Sequence, residues 1–492
     1  MGYVPEHASV SLDDVVAALG FDVPATHLNV SGISHDNREI QPDWIFAAIQ
    51  GEKVHGIEFA EQAIAQGAVA ILTDSAGHEK FHSETVPVIV SADPRKDMAQ
   101  FARLISHDVQ AHLRTIGITG TNGKTTTSFF IEACLQAVEA HPLLIGTTGI
   151  TFEKSYLPSA RTTPESTQLH RIFSEAFGKG ARSVVMEVSS HALNLHRVAG
   201  VHFDVAVFTG LSPDHLDFHP TMDDYFAAKA KLFTPEYAQS AVICIDTEWG
   251  QKLASRCEIP FVTYGDNADW QAINVRPSVA GSTFTVVSPH KNFEVEISLP
   301  GSFNVKNALA SLAAMDVLGY GTENCASMLR NVVVPGRMEP ITNSLEITVL
   351  VDYAHTPDAV EKALRVAREN SSARVITIIG CGGNRDSSKR EPMGRIAAEL
   401  SDIVLVTDDN PRNEDPAFIR AAVLRGASAA QRGAELQEVA DRKSAIKKAI
   451  ETAKPGDVVM ILGKGHEQGQ DVAGVMHPFD DREVAREAVA HS

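Results

Sequence analysis

A chain of 492 residues is too long for one hydrophobic core, and its length predicts about three domains. Its 44% hydrophobic and 21% charged residues are those of an ordinary globular protein. The formal net charge of −19 argues against sequence-independent binding to nucleic acid, which needs a basic face, but leaves room for an anionic small substrate held by a local cluster of Arg and Lys.

The five cysteines (Cys134, Cys244, Cys257, Cys325, Cys381) are scattered and form no C-x-x-C pair, which suits a reducing compartment and argues against a zinc ribbon. The first residues lack a basic stretch followed by an apolar core, Glu6 stands where myristoylation after Gly2 wants Ser or Thr, and no apolar run approaches membrane-spanning length. The expectation is a cytoplasmic protein with no membrane or nucleic-acid partner.

Residues 1–108 read as a small α/β unit. Ser11 caps a helix over Leu12 to Leu19; strands follow at Trp44 to Ile49, Ala68 to Thr73 and Pro87 to Val90; helices span Ile57 to Gln66 and Asp93 to Ser106. Asp36, Asn37 and Arg38 sit in a polar loop and, on the residues alone, read as a turn.

The second unit, 109–337, opens on the strand Leu113 to Ile118, the turn Gly120-Thr121-Asn122-Gly123 and the helix Thr125 to Val138. A strand feeding a glycine-rich turn and then a helix N-terminus is a phosphate cradle: turn N–H groups and the helix dipole point at one anion. Lys124 adds a charge for the terminal phosphates, and the hydroxyls of Thr125 and Thr126 follow it. Strict Walker A spacing wants glycine where Ile118 stands, so this is a variant loop. Ile145 to Thr151 reads as a loop after a strand, and Thr162-Thr163 before Pro164 as either a helix cap or a substrate contact. Glu187 ends the strand Ser183 to Glu187, where nucleotide enzymes place a metal ligand, with Ser189 beyond it. Asp214, His215, Asp217 and His219 form a dense set of potential ligands, more suited to a hard cation than to zinc. On the helix Met222 to Phe233, Lys229 lies among Phe226, Ala227 and Ala228, so burial would favour a neutral amine, reactive toward CO₂. Asn304 and Asn307 share one face of a later helix, and Gly336 is a candidate hinge.

In the third unit, 338–492, the strands Ile347 to Val351, Val375 to Ile379, Ile403 to Val406 and Val458 to Leu462 alternate with helices, as in a doubly wound parallel sheet. A polar motif follows each strand, at the edge where such sheets bind ligands.

The ordered motifs GITGTNGKTT, EVSSHAL, SPDHLDFH with AAKAKLF, NVKNAL, PGRME, DYAHTPD and DNPR resemble those of the Mur ligase family, most closely its MurE type, from about residue 30 to 482. The resemblance implies an α/β, three-domain architecture: an N-terminal domain (1–108) for the UDP end of the substrate, a central P-loop ATPase domain (109–337), and a Rossmann-like C-terminal domain (338–492) for the incoming amino acid. It implies an ATP- and Mg²⁺-dependent ligase of peptidoglycan synthesis, working as a monomer, that adds meso-diaminopimelate to UDP-MurNAc-L-Ala-D-Glu through an acyl phosphate. By the same resemblance Gly120, Thr121, Asn122, Gly123, Lys124, Thr125, Thr126, Asn304, Asn307, Arg337 and Asp352 serve ATP. Thr125, Glu187, His215 and Lys229, the last as a carbamate, serve the metal, and Lys124, Glu187, His215 and Lys229 the chemistry. Asn37, Thr162, Thr163, Ser189 and Arg197 would meet the UDP-linked substrate. Arg385, Asp409, Asn410, Pro411, Arg412, Gly463 and Glu467 would meet the amino acid. The DNPR form is the one associated with diaminopimelate, whose extra carboxylate suits the planar forks of Arg385 and Arg412. The chain has Leu195 where some members carry Gln, and Asn37 where the family has Ser. The alternatives are the same ligase acting on L-lysine, a folylpolyglutamate synthetase-like ligase, and a P-loop switch that would release phosphate without an amine acceptor.

Overall fold

The structure is a computed structural model that describes residues 9–216, 218–369 and 373–491. Asp217 and the N-terminal stretch containing Gly2 and Glu6 lie outside the described residues. Three largely parallel sheets follow one another along the chain.

The first is four-stranded, Gly32–Ser34, Trp44–Ala48, Ala68–Thr73 and Val88–Val90 in that order, all parallel. Ile45 and Ala47 point into one core with the helices Leu12–Ala18 and Pro94–Ile105, while Trp44, Phe46 and Ala48 point into another with Ala60–Ala65. A strand covered on both faces reads as a continuous apolar run. Ser11 accepts the Asp14 N–H at 3.3 Å, and Asp93 accepts that of Lys96 at 3.1 Å with Pro94 in the first turn, so local capping starts both the short first helix and the longer one.

The central sheet has eight strands, ordered Ser155–Leu157, Gly149–Phe152, Pro142–Gly146, Ser183–Glu187, Arg114–Thr119, Phe203–Phe208, Ala238–Cys244, Phe261–Tyr264. Helices Lys124–Ala137, Ser302–Val317 and Thr322–Leu329 cover one face, and Ser166–Gly178 and Met222–Ala230 the other. The expected loop at Ile145 to Thr151 is instead a hairpin, Pro142–Gly146 against Gly149–Phe152, antiparallel. Gly149 at φ 114° makes its tight turn possible. A small antiparallel sheet, Gln271–Ser278, Gly281–Val287 and Asn292–Ile297, has no counterpart in the sequence-based reading, although inward-facing Phe284, Val286, Val295 and Ile297 carry its period of two. The helix expected through Phe233 stays α-helical over Met222–Ala230 and tightens to 3₁₀ over Lys231–Phe233.

The third sheet runs Glu339–Pro340, Thr348–Asp352, Val458–Leu462, Val375–Ile379, Ile403–Val406, Glu435–Glu438, parallel except at its first pair. Alternate residues feed opposite cores: Leu350, Met460 and Val404 meet Pro357–Glu369, Arg390–Leu400 and Pro416–Ser428, while Val349, Ile461 and Leu405 meet Arg442–Thr452 and Asp481–His491. The sheet is thus doubly wound, with its ligand edge at the carboxyl ends of the strands.

A fully buried ion pair fixes that edge. Arg442 donates to both Asp481 carboxylate oxygens at 2.7 Å and to the Leu462 carbonyl at 3.0 Å, tying two helices to the end of the strand that leads into Gly463. Asp481→Ala strands a buried guanidinium, and we expect it to destabilise the third domain by about 3–5 kcal/mol. Denaturant unfolding followed by far-UV circular dichroism checks this; a change within error would deny the pair its structural role.

Candidate functional site

The strand Arg114–Thr119 ends at the carboxyl edge of the central sheet and turns through Gly120 to Gly123 into the helix Lys124–Ala137. Gly120 and Gly123 hold φ of 152° and 87°; a Cβ on the first would collide with the Thr209 side chain, and on the second with the Asn307 amide. No side chain caps the helix, which leaves its first N–H groups and its dipole for an anion. Lys124 Nζ donates to the Gly120 and Thr121 carbonyls, each at 2.9 Å. Burial, helped by Arg337 and opposed by Glu187 and Asp214, holds its pKa below the usual lysine range.

Around the turn, the Thr121 hydroxyl donates to the Ser212 carbonyl at 3.0 Å, and the Asn122 amide donates to Asp358 of the third domain at 3.0 Å. Thr125 and Thr126 are buried in the first helical turn, and Thr125 Oγ1 accepts from Arg337 at 3.3 Å. Asn304 and Asn307 are buried one above the other, Asn307 donating to Asn304 Oδ1 at 3.1 Å and Asn304 to the Pro300 carbonyl at 2.8 Å. The Arg337 guanidinium lies 4.3 Å over the Tyr353 ring. Both Asp352 oxygens accept backbone N–H groups, from Met338 and Ala354 at 2.8 Å each, and burial pushes its pKa up against the pull of Arg337. Asp352 therefore ties the segment joining the two domains to the end of its own strand. Gly336, the candidate hinge, holds φ 63° and packs where any Cβ would strike Gly465 and His466.

Glu187 is fully buried and accepts both the N–H and the hydroxyl of Thr147 at 2.9 Å. Lys229 is buried under Tyr225, its Nζ 4.7 Å from the ring centroid and donating to the Gly120 carbonyl at 3.0 Å. Burial first, and the Lys124 charge second, push Lys229 well below the usual lysine value, which favours the neutral amine. Its near neighbour Lys231 is exposed and reaches Asn194 at 3.5 Å. Burial likewise lowers His215 to about 4, despite Asp214 with its Oδ2 3.5 Å away, so the imidazole is neutral at pH 7 and keeps a lone pair.

Among the described residues no three His, Cys, Asp or Glu gather as a metal cluster. His219, grouped with Asp214 and His215 from sequence, is buried, its Nε2 3.0 Å from Ser190 Oγ and its ring 5.1 Å from that of Tyr225. The donors near the cradle are a threonine hydroxyl, the Glu187 and Asp214 carboxylates and a neutral imidazole. That set fits a hard cation taking much of its shell from phosphate oxygens.

A cleft of about 850 Å³ opens beside the cradle, between the carboxyl edges of the central and third sheets. Thr162, Ser189, Arg197 and His215 line it from one side; Arg385, Asp409, Asn410, Arg412, Gly463 and Glu467 line it from the other. On the first side, Thr163 donates to the Glu187 carbonyl at 2.9 Å and accepts the Ser189 N–H at 3.1 Å, and the Thr162 hydroxyl lies 3.3 Å from that of Thr147. Arg197 Nε is 2.9 Å from Glu165. Asn37 is not brought to this cleft; its amide donates to Gln62 at 3.0 Å within the first domain.

On the other side, Arg412 stands at φ 51° and donates to the Gly383 carbonyl at 2.8 Å, with Pro411 packed against Gly383. Arg385 is exposed and has no hydrogen-bond or ion-pair partner among the described residues. The Asp409 carboxylate packs against Gly463, where φ is 119°. Asn410 donates to Glu467 Oε2 at 2.8 Å.

Sequence reasoning passed over Lys464, fully buried between Asn410 and Glu467, and Asp358, which holds Asn122 across the domains. The signal for Lys464 was a lysine between two glycines at the end of an apolar strand.

Residues 29–106, 118–315 and 336–465 match three family models, described as Mur ligase family, catalytic domain; Mur ligase middle domain; and Mur ligase, glutamate ligase domain. A protein of Corynebacterium glutamicum named UDP-N-acetylmuramoyl-L-alanyl-D-glutamate–2,6-diaminopimelate ligase is 46% identical over 99% of this chain and 94% of its own. One of the same name from Streptomyces coelicolor is 43% identical over 98% and 97%. A solved structure bearing that name superposes with a TM-score of 0.71 at 32% identity, over 98% of this chain and 99% of the other. Full-length similarity at this level, together with a glycine-rich turn beside a large cleft lined by charged residues, places the chain in the Mur ligase family.

Proposed function

We propose that the protein is an ATP-dependent amide ligase of peptidoglycan synthesis that joins meso-diaminopimelate to the D-glutamyl γ-carboxylate of UDP-MurNAc-L-Ala-D-Glu. The observation that carries this is the single cleft in which Thr162, Ser189 and Arg197, beside the cradle, face Arg385, Arg412, Asp409 and Glu467 of the third domain. The five cysteines are free, in keeping with a reducing cytoplasm, and no described helix is long and apolar enough to cross a membrane.

The γ-phosphate of ATP rests on the backbone of Gly120 to Gly123 with Lys124 against its oxygens. A γ-carboxylate oxygen of the D-glutamyl group attacks phosphorus, the bond to ADP breaks, and an acyl phosphate forms. The neutral amine of diaminopimelate attacks the acyl carbon, loses its proton, and the tetrahedral intermediate expels phosphate. No side-chain nucleophile is required. A magnesium ion held by Thr125, Glu187, His215 and a carboxylated Lys229 would neutralise charge on the phosphates. The neutral Lys229 amine is the form that bonds to CO₂, releasing a proton and becoming an anionic ligand.

Arg385 and Arg412 suit the distal carboxylate that distinguishes diaminopimelate from lysine. Purified protein with ATP, Mg²⁺ and UDP-MurNAc-L-Ala-D-Glu should release phosphate and yield a product of the ligated mass with meso-diaminopimelate, and neither with L-lysine nor without an amine. Ligation of lysine instead would overturn the specificity, and phosphate release without any amine would overturn the ligase.

Two variants test the roles assigned. Arg385→Ala, which removes an otherwise unpartnered guanidinium, should lower kcat/KM for diaminopimelate about 10- to 100-fold while the KM for ATP holds; steady-state kinetics reads both. Lys229→Ala should lower kcat about 100-fold or more. In ¹³C-bicarbonate the native protein should show a carbamate carbon resonance that this variant lacks; the same resonance in both would place the carbamate elsewhere.

A further inference from the structure

Lys464 follows Gly463 at the carboxyl edge of the third sheet, and its side chain is fully buried, whereas that of Glu467 beside it is 32% exposed. Its ammonium donates to Asn410 Oδ1 at 2.9 Å and to Glu467 Oε2 at 3.1 Å. Asn410 Oδ1 also accepts the Asp471 N–H at 3.0 Å. With two donors on that oxygen the amide has one acceptable orientation, because the flipped form would set its NH₂ against an ammonium and an N–H. So oriented, the Asn410 NH₂ points at Glu467 Oε2 and donates to it at 2.8 Å. Two donors thus saturate Oε2, while Oε1 has no hydrogen-bond partner among the described residues and belongs to a side chain that lines the cleft.

We infer that Lys464 is a positioning residue for acceptor specificity: it sets Asn410 and one oxygen of Glu467 so that the other oxygen is presented to the ammonium at the non-reacting end of the amino-acid acceptor. The inference rests on the functional reading above. A compact ammonium with three radiating donors serves two acceptors side by side, which a planar guanidinium would not do in the same space. Its charge also keeps Glu467 from leaving an uncompensated carboxylate in the pocket wall when no acceptor is bound. On the same side of the cleft, Arg385 and Arg412 offer the complementary charge, so the pocket matches a zwitterionic end: one ammonium, one carboxylate.

The test compares diaminopimelate with 2-aminopimelate, which has both carboxylates but lacks the distal amino group. The wild-type protein should prefer diaminopimelate. Lys464→Met keeps the volume and removes the charge, and Lys464→Gln keeps a donor and removes the charge. In both, the preference in kcat/KM should shrink about tenfold or more through a raised KM for diaminopimelate, while the KM for ATP and for the UDP-linked substrate stay put. An unchanged preference, or a loss shared equally by both acceptors and all three KM values, overturns the inference. Loss of the wild-type thermal transition in both variants assigns Lys464 to folding and overturns it as well. Failure of the wild-type protein to ligate either acceptor overturns the functional reading itself, whereas ligation with a preference that survives both substitutions overturns the role of Lys464 alone.

Discussion

The carbonyl oxygen of Gly120 takes hydrogen bonds from two lysines, Lys124 at 2.9 Å and Lys229 at 3.0 Å. Burial penalises the charged form of both lysines, and at Lys229 the Lys124 charge adds to it. The result is a depressed pKa at each and a standing demand for negative charge. In the proposed function a nucleotide phosphate would meet that demand at Lys124, and carboxylation would meet it at Lys229. The glycines of the turn, the uncapped helix and the buried Glu187 all answer to this constraint, since each brings partial or full charge to one point while keeping side-chain bulk away.

Polar contacts, with Phe303 packed on the core of the third domain, hold that domain against this point. Asn122 reaches Asp358, Arg337 reaches Thr125, and His466 Nε2 lies 3.1 Å from the Thr147 carbonyl. Thr147 is also the residue that holds both oxygens of Glu187. The third domain therefore touches the same loop that orients the buried carboxylate of the central domain.

Much of the fold was legible because strands buried on both faces appear as apolar runs, and because helix starts carry their own caps, as at Ser11 and Asp93. The small sheet from Gln271 escaped because its first strand is mostly exposed and lacks a clear alternation. The hairpin at Gly149 escaped because a two-residue turn between apolar strands looks like a glycine-containing loop. At the site, the cradle could be read from residue types alone, since glycine spacing and a lysine carry the chemistry locally. His219, one of several potential ligands in its stretch, shows that adjacency in sequence does not say which way an imidazole turns, since here it turns to Ser190. Lys464 and Asp358 were missed because their roles depend on partners 54 and 236 residues away.

In the proposed reaction the cradle uses ATP to activate a substrate carboxylate as an acyl phosphate. The most direct measurement labels both γ-carboxylate oxygens of the D-glutamyl group with ¹⁸O and follows the label through one turnover by mass spectrometry. The released phosphate should carry one ¹⁸O and the new amide should keep the other. Phosphate released without label would show that the carboxylate never bonded to phosphorus, and would contradict that reaction.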